Sequence, residues 1–414
     1  MNALLNRNGI QSQTDTDEPI SLYIHWPFCA SKCPYCDFNS HVNNAVDQDQ
    51  WRKAMLTELE YVGSATKGRP LKSVFFGGGT PSLMPPQTVQ VLIDALSLYW
   101  KIDGPIEITL EGNPNSIEVN QYKDFKQAGI NRVSVGIQSL RPESLSFLGR
   151  LHDVDEAKRA LEITGSLFDR SSFDLIYALP NQTLCEWQAE LSEAIELAQG
   201  HLSLYQLIIE PGTAFYTRYH RGEFQLPSEE ASADMFQWTR EFMASHGYDL
   251  YEVSNFAKPG HECQHNLTYW LYNDYACIGP GAHGRVTLAG SEGPDKADRS
   301  KYAIRNHRAP DVWLNAVEQH GHGQKKREFL PHREQIIEHL LMNLRVPQGI
   351  DRSQFQNKHG CDVLDLFPAD SVEHLQDAGY VSISDRTLAV TQDGLLRLDG
   401  ITSKLVTSMK DGII

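Results

Sequence analysis

From residue 20 onward, short runs of β-branched and aromatic residues alternate with longer stretches whose apolar residues recur every three or four positions. The short runs predict strands at Leu22–His25, Ser73–Phe76, Ile106–Leu110, Arg132–Ile137, Ser172–Tyr177, Ser203–Ile208 and Asp249–Val253. The longer stretches predict helices near 47–64, 85–100, 116–128, 153–166, 184–198 and 228–246. Asp153 precedes an acidic first turn, and Thr183-Leu184-Cys185-Glu186 has the form of a capping box. About six βα units of this length imply an α/β fold, a parallel sheet with right-handed crossovers curled into a full or partial (β/α) barrel. Functional side chains then belong at the C-terminal ends of the strands.

Past about residue 290 the pattern changes. Residues 287–327, rich in Gly, Asp, Lys and His, read as loop. A helix at Glu334–Leu344, a second at Arg352–Asp362 and a helical stretch at Val363–Gly379 precede a hairpin, Tyr380–Ile383 and Leu388–Thr391, that turns at Asp385-Arg386. Helices followed by a two-stranded wing resemble a small winged-helix α+β domain. The expected division is a tail at 1–19, a barrel at 20–286, a linker at 287–327 and a C-terminal domain at 328–414. Residues 1–19 are polar and form neither signal peptide nor anchor, and no run of about 18 apolar residues occurs elsewhere.

Composition narrows the function. Of 414 residues, 41% are hydrophobic and 22% charged, as in a globular protein with a large core. The net charge of −16 argues against nucleic acid as the main partner, since phosphate binding needs a basic face. The second helix of the wing domain is not markedly basic either, which leaves a lid or docking module as its plainer role. Cys185, Cys263, Cys277 and Cys361 are scattered and read as reduced, in a cytoplasmic protein.

The other three cysteines are grouped as Cys29-Ala30-Ser31-Lys32-Cys33-Pro34-Tyr35-Cys36, spaced C-x3-C-x2-C. A [4Fe-4S] cluster normally takes four thiolates, so three leave one iron open to a ligand from outside the protein. That is the arrangement of radical S-adenosylmethionine (SAM) proteins, where SAM chelates the open iron and one electron from the reduced cluster breaks its C–S bond. The alternatives are a zinc site or unrelated thiols. Zinc normally wants four ligands, and no second half-site follows.

The motifs after the other strands suit that ligand. Gly77-Gly78-Gly79-Thr80-Pro81-Ser82 lets backbone come close and could turn N–H groups toward polar atoms, although a glycine run is often only a tight turn. It matches neither a P-loop nor a dinucleotide fingerprint. Glu111 could accept from the SAM ammonium, unless the region serves only as a helix cap. Gln138 could meet a ribose hydroxyl. Asp174 lies in an apolar strand and needs a partner, either a ribose or a buried arginine, with Arg150 a candidate. His265-Asn266-Leu267-Thr268-Tyr269-Trp270 would suit a flat aromatic ligand, with His265 an axial ligand to a porphyrin iron; the alternative is a core histidine under packed aromatics. His320-Gly321-His322 reads as an exposed loop.

Taken in order, Tyr23-Ile24-His25-Trp26-Pro27-Phe28-Cys29, the cysteine motif, the Gly-Gly-Gly-Thr-Pro-Ser turn and Asp174-Leu175-Ile176-Tyr177-Ala178-Leu179-Pro180-Asn181-Gln182-Thr183 resemble the oxygen-independent coproporphyrinogen III oxidase family of radical SAM proteins. The resemblance spans about 20–405 and is nearer to its HemW branch, the heme chaperones. The oxidases carry a further cysteine two residues after the third, where this chain has Phe38, and the HemW branch carries H-N-x-x-Y-W, matched by His265 to Trp270. The resemblance implies a [4Fe-4S] cluster on Cys29, Cys33 and Cys36, and SAM held by Tyr23, Gly78, Gly79, Thr80 and Glu111, with Gln138, Arg150 and Asp174 around that SAM or around a second SAM as in the oxidase. It also implies heme near His265 and Tyr269, and heme-accepting partners such as respiratory cytochromes at the inner membrane surface. Radical decarboxylation of porphyrinogen propionates, or another radical reaction on heme, is the alternative activity.

Overall fold

The structure is a computed structural model, and it describes residues 18–43, 45–289 and 299–410. Strands β1 (Ile20–Trp26), β4 (Leu71–Gly78), β5 (Glu107–Gly112), β6 (Arg132–Gln138), β7 (Arg170–Tyr177) and β8 (His201–Gln206) run parallel in that order. Short strands β2 (Phe28–Cys29) and β3 (His41–Val42) pair beyond the end of β1 and bracket the cysteine loop. Side chains alternate across a strand. Leu22, Ile24, Val74, Phe76, Leu110, Val133, Val135, Phe173 and Leu204 belong to the core that the helices bury. The opposite parity is largely polar, with Ser21 beside Ser73, Tyr23 beside Phe75, His25 beside Gly77 and Asp174 beside Ser203. A sheet with one greasy and one polar face, wrapped by helices on the greasy side, makes the polar face the inside of an open barrel.

Two helices begin as the sequence indicates. Val154–Leu167 and Leu184–Leu197 carry complete capping boxes at Asp153/Glu156 and Thr183/Glu186. The expected strand near 249–253 departs from the repeat. Strands β9 (Asp249–Glu252) and β10 (Asn255–Ala257) form an antiparallel edge on β8, because too few residues separate them for a crossover helix. Strand β11 (Asp274–Ile278) was not anticipated, and it extends the parallel sheet on the other flank of β1.

The expected linker is a correction. Strands β12 (His283–Ala289), β13 (Arg299–Asn306) and β14 (Gln324–Phe329) continue the sheet from β11, with a helix at Pro310–His320; only 290–298 of that stretch lie outside the described residues. Strand β14, the edge of the sheet, is rich in charge, as edges that must not pair with other chains often are, β13 inside it carries Lys301 and Arg305, and that polarity reads as loop in one dimension. Lys301 is 4% exposed and shares the buried Asp274 carboxylate with Arg69, at 3.2 and 2.8 Å. Burial opposes that charge, but Lys301 and Arg69 hold Asp274 down to about 2. His320 ends the helix and is exposed as expected, whereas His322, just after it, packs on Tyr61 with ring centroids 4.4 Å apart.

Glu58, on the helix Gln48–Ala65, ties this added part to the barrel. Its buried carboxylate accepts from Gly279 N (2.7 Å), Gly323 N (2.7 Å), Trp313 Nε1 (2.9 Å) and Asn306 Nδ2 (3.1 Å). Trp313 stacks on Trp51 at 5.2 Å and Trp51 meets Phe28 at 4.8 Å, so an aromatic column runs to the residue preceding Cys29.

The C-terminal unit has its own core, including Ile336, Leu340, Phe355, Leu388 and Leu405. Helices His332–Asn343, Arg352–His359, Ala369–Asp377 and Leu398–Ser408 surround a sheet of β15 (Ile350–Asp351), β16 (Val381–Ile383) and β17 (Thr387–Val390), so the expected two-stranded wing has a third strand. It grips the barrel through Arg285–Glu338 (2.8 Å), Lys358 Nζ donating to Tyr272 O (2.8 Å) and His339 stacked on Tyr272 (5.2 Å). Among the described residues no helix is long and apolar enough to cross a membrane.

Candidate functional site

The cysteine loop caps the barrel beyond β1. It is pinned by His41 N donating to Pro27 O (2.7 Å), His25 Nε2 beside Asn39 O (3.0 Å), Asn39 Nδ2 donating to Pro280 O (3.0 Å), and Phe215 N donating to Pro34 O (2.9 Å). The thiols of Cys29, Cys33 and Cys36 are half-buried and free. Burial pushes the Cys29 and Cys36 thiols up. Each sulfur has polar neighbours, with Ser40 also acting on Cys29 and the Tyr35 hydroxyl on Cys33. Thr80 Oγ1 donates to Cys29 Sγ at 3.4 Å, Arg150 Nη1 donates to Cys33 Sγ at 3.4 Å, and Ser40 Oγ lies 3.9 Å from Cys36 Sγ. Among the described residues no three His, Cys, Asp or Glu side chains gather where they could hold one metal ion. The donor set therefore does not form a ready zinc site. A cubane cluster instead takes each thiolate on a different iron, which spaced sulfurs on one loop can supply.

The three-glycine turn lies directly under this loop. Gly78 has φ +115°, and a Cβ there would sit 2.5 Å from His25. A Cβ on Gly79 would lie 2.7 Å from Phe28 O, so the turn can only approach the cysteine loop without side chains. The expectation that its N–H groups face a ligand is corrected. Gly78 N donates to Glu111 Oε2 (3.2 Å), Gly79 N to Trp26 O (2.7 Å) and Thr80 N to Phe28 O (2.9 Å). With those donors spent, the turn can offer a ligand only acceptors.

Glu111 and Asp174 line the polar face behind the turn. Burial, then the Asp174 charge, push Glu111 up to about 8. Burial pushes Asp174 up to about 6, against the Ser203 hydrogen bond and the Arg132 charge. A buried carboxyl with one weak donor is a destabilising feature retained where a cation would repay it. Because Glu111 titrates near 8 in the fold, well above the ordinary carboxylate range, its stabilising protonated form is lost as pH rises from that range through about 8. Glu111→Gln is thus expected to melt higher than wild type, with a gap that widens between about pH 5 and about pH 8.5. An equal gap at both pH values would show that Glu111 does not titrate in the fold.

The buried arginine that acts most on Asp174 is Arg132, with the Arg150 charge a smaller effect, and the hydrogen bonds of Arg150 go elsewhere. Its Nη2 donates to Asn113 Oδ1 (2.6 Å) and Gly136 O (2.8 Å), its Nη1 reaches Cys33, and its buried Nε has no partner. Gln138 ends β6 at φ +72°, a backbone conformation that non-glycine residues adopt at a cost and that clusters at functional sites. Tyr23 OH lies 3.0 Å from His25 Nδ1, and its ring stacks near Phe75 at 6.4 Å. Tyr23, Gly78, Thr80, Glu111 and Arg150 thus converge around the cysteine loop.

His265 and Tyr269 lie next to Tyr23, on a short helix, Gln264–Trp270, against the inner face of β4 and β11, with the His265 and Tyr23 ring centroids 6.2 Å apart. His265 is 1% exposed, with Nδ1 2.9 Å from Ser73 Oγ, Nε2 2.7 Å from Tyr269 OH, and its ring stacked on Phe75 at 5.1 Å. Burial pushes its pKa down to about 3. Both ring nitrogens are engaged, so the arrangement matches a packed core histidine and not an open axial ligand. Sequence reasoning passed over His25, Asn113 and Ser40 as contributors. Period-two spacing from Tyr23 would have placed His25 on the same face, whereas nothing local marks Asn113 or Ser40.

The Radical SAM superfamily model matches residues 23–194, and the HemN C-terminal domain model matches residues 330–397. The chain is 45% identical over 272 residues to the heme chaperone HemW of Escherichia coli K12, covering 65% of this chain and 71% of that one. It is 33% identical to the HemW of Haemophilus influenzae across 94% of this chain and 98% of that one. It is 36% identical to the mitochondrial radical S-adenosyl methionine domain-containing protein 1 of Bos taurus across 97% and 91%. The solved coproporphyrinogen III oxidase HemN of Escherichia coli superposes with a TM-score of 0.77 over 94% of this chain and 91% of that one, at 23% identity, which shows a shared fold.

Proposed function

Because the chain belongs to the HemW family of radical SAM proteins, we propose that it is a heme chaperone that carries a [4Fe-4S] cluster and SAM and passes heme to acceptor proteins. Likeness to HemW proteins along most of their length carries this reading. The oxidase alternative is less favoured. The residue that stands where the oxidases have a further cysteine is Phe38, 60% exposed beside Cys36, so an apolar ring faces outward there.

In this reading Cys29, Cys33 and Cys36 hold the cluster, which supplies one-electron chemistry to SAM when both are bound. Glu111, once ionised, would accept from the SAM ammonium. Gln138 and Asp174 would meet the ribose, while the unpartnered Arg150 Nε is a donor left for an anionic group. Tyr23 and His25 hold the wall, and the pinned loop limits water around the cluster. Acceptors include membrane-surface respiratory cytochromes, reached by peripheral association. A direct role for His265 in heme capture requires the His265–Tyr269 bond to open, so its replacement tests that role and wild type tests the function.

The purified protein titrated with heme is expected to develop a Soret band with saturating stoichiometry. Absence of that band in wild type would remove the chaperone reading. If His265 binds iron, His265→Ala shifts or weakens the band; an unaltered band confines His265 to packing.

A further inference from the structure

We infer that Arg150 sets the reduction potential of the cluster, acting as a positioning residue through the hydrogen bond it donates to the Cys33 sulfur. This rests on the reading that Cys29, Cys33 and Cys36 hold the cluster. The three sulfurs are not equivalent in their surroundings. Cys29 receives a neutral hydroxyl from Thr80 at 3.4 Å, and Cys36 lies at a longer 3.9 Å from the Ser40 hydroxyl. Only Cys33 among them has a cationic N–H donor, Arg150 Nη1 at 3.4 Å.

The guanidinium cannot easily turn away. Its Nη2 is fixed by Asn113 Oδ1 at 2.6 Å and Gly136 O at 2.8 Å, on β5's exit and on β6. A planar fork held at two acceptors on one nitrogen aims the other nitrogen at the sulfur. A Cβ at Gly136 would meet Arg150 Nη2 at an ordinary 3.5 Å contact and press only on the side-chain end of Gln138, at 2.9 Å. Packing adds to the constraint, because a Cβ on Gly149, the residue before Arg150, would press on Pro34 of the loop at 2.8 Å.

Reduction adds one electron to an already negative cluster and raises the electron density on its thiolate sulfurs. Hydrogen bonds to sulfur and nearby positive charge stabilise that reduced form and raise the potential. A charged donor does this more strongly than a hydroxyl. Arg150 therefore makes the cluster easier to reduce and, once reduced, a weaker electron donor. The geometry also links the potential to the rim of the SAM site, because Asn113 joins Arg150 to Thr80 by Nδ2 donating to Thr80 Oγ1 at 3.3 Å.

The test uses the full chain, reconstituted anaerobically with iron and sulfide and kept free of SAM, with iron counted for every sample. Midpoint potentials are read by electron paramagnetic resonance during a dye-mediated reductive titration. Arg150→Gln is expected to move the potential to a more negative value, and Thr80→Val to move it the same way by less. Arg150→Lys keeps the charge but cannot span Asn113, Gly136 and Cys33 together, so a partial negative shift is expected. Overlapping titration curves for wild type and Arg150→Gln at equal iron content would overturn the inference. If Arg150→Gln fails to retain iron, a wild-type potential in Arg150→Lys would overturn it instead. A wild-type protein that takes up no cluster would refute the underlying reading, a separate outcome visible in the iron count.

Discussion

Replacing Cys29 by serine is expected to abolish the visible iron–sulfur absorption of the anaerobically reconstituted protein and to leave its far-ultraviolet circular dichroism unchanged. Cys33→Ser and Cys36→Ser are expected to do the same. A cluster already short of one protein thiolate has no spare ligand to surrender. The fold survives because these side chains are half-buried on a loop held by other bonds, among them His41 N to Pro27 O and Asn39 Nδ2 to Pro280 O. Cys185→Ser provides the control, since Cys185 is exposed on the outer helix Leu184–Leu197. Iron and sulfide analysis beside the absorption spectrum decides the matter. Full iron content in all three loop variants would mean that the cluster, if any, is held elsewhere.

The largest effect on stability is expected at Glu58. Glu58→Ala removes the acceptor for Gly279 N, Gly323 N, Trp313 Nε1 and Asn306 Nδ2 at one stroke. A buried donor left without a partner costs about 1–3 kcal/mol, and Glu58→Ala strands four neutral donors that relax only in part. We therefore expect a loss of about 3–5 kcal/mol in urea denaturation. Loss of near-ultraviolet tryptophan signal should accompany it, because Trp313 stacks on Trp51. Glu58→Gln keeps one acceptor oxygen and should lose less. A Glu58→Ala protein within about 1 kcal/mol of wild type would show that water or a rearranged loop satisfies those donors.

Neither role of Glu58 nor the strands it anchors could be read from the chain. Glu58 sits in a helix where a glutamate ordinarily faces solvent, and its donors are 221 to 265 residues away. The strands β13 and β14 look like charged loop because a charge-rich strand, whether the edge β14 or the inner β13, shares a composition with a loop. The Arg150 assignment failed for a related reason. From the chain, Asp174 is the nearest plausible anion in role, yet the β6 register shift between Val135 and Gln138 and the placement of the loop bring Asn113, Gly136 and Cys33 to the guanidinium.

What the residue order alone settles here is local. Period-two apolar runs, capping boxes at Asp153 and Thr183, and three thiols on one short loop follow from contacts among near neighbours, which any fold containing those segments must honour. Folding in three dimensions settles which groups meet. It brings Arg150 to Cys33, closes Ser73 and Tyr269 over the two nitrogens of His265, and directs the amides of the glycine turn inward. Those pairings depend on strand register and on the depth to which each side chain is buried. Both are set by packing across the whole sheet, where a shift of one residue would turn every polar group on the inner face toward the core.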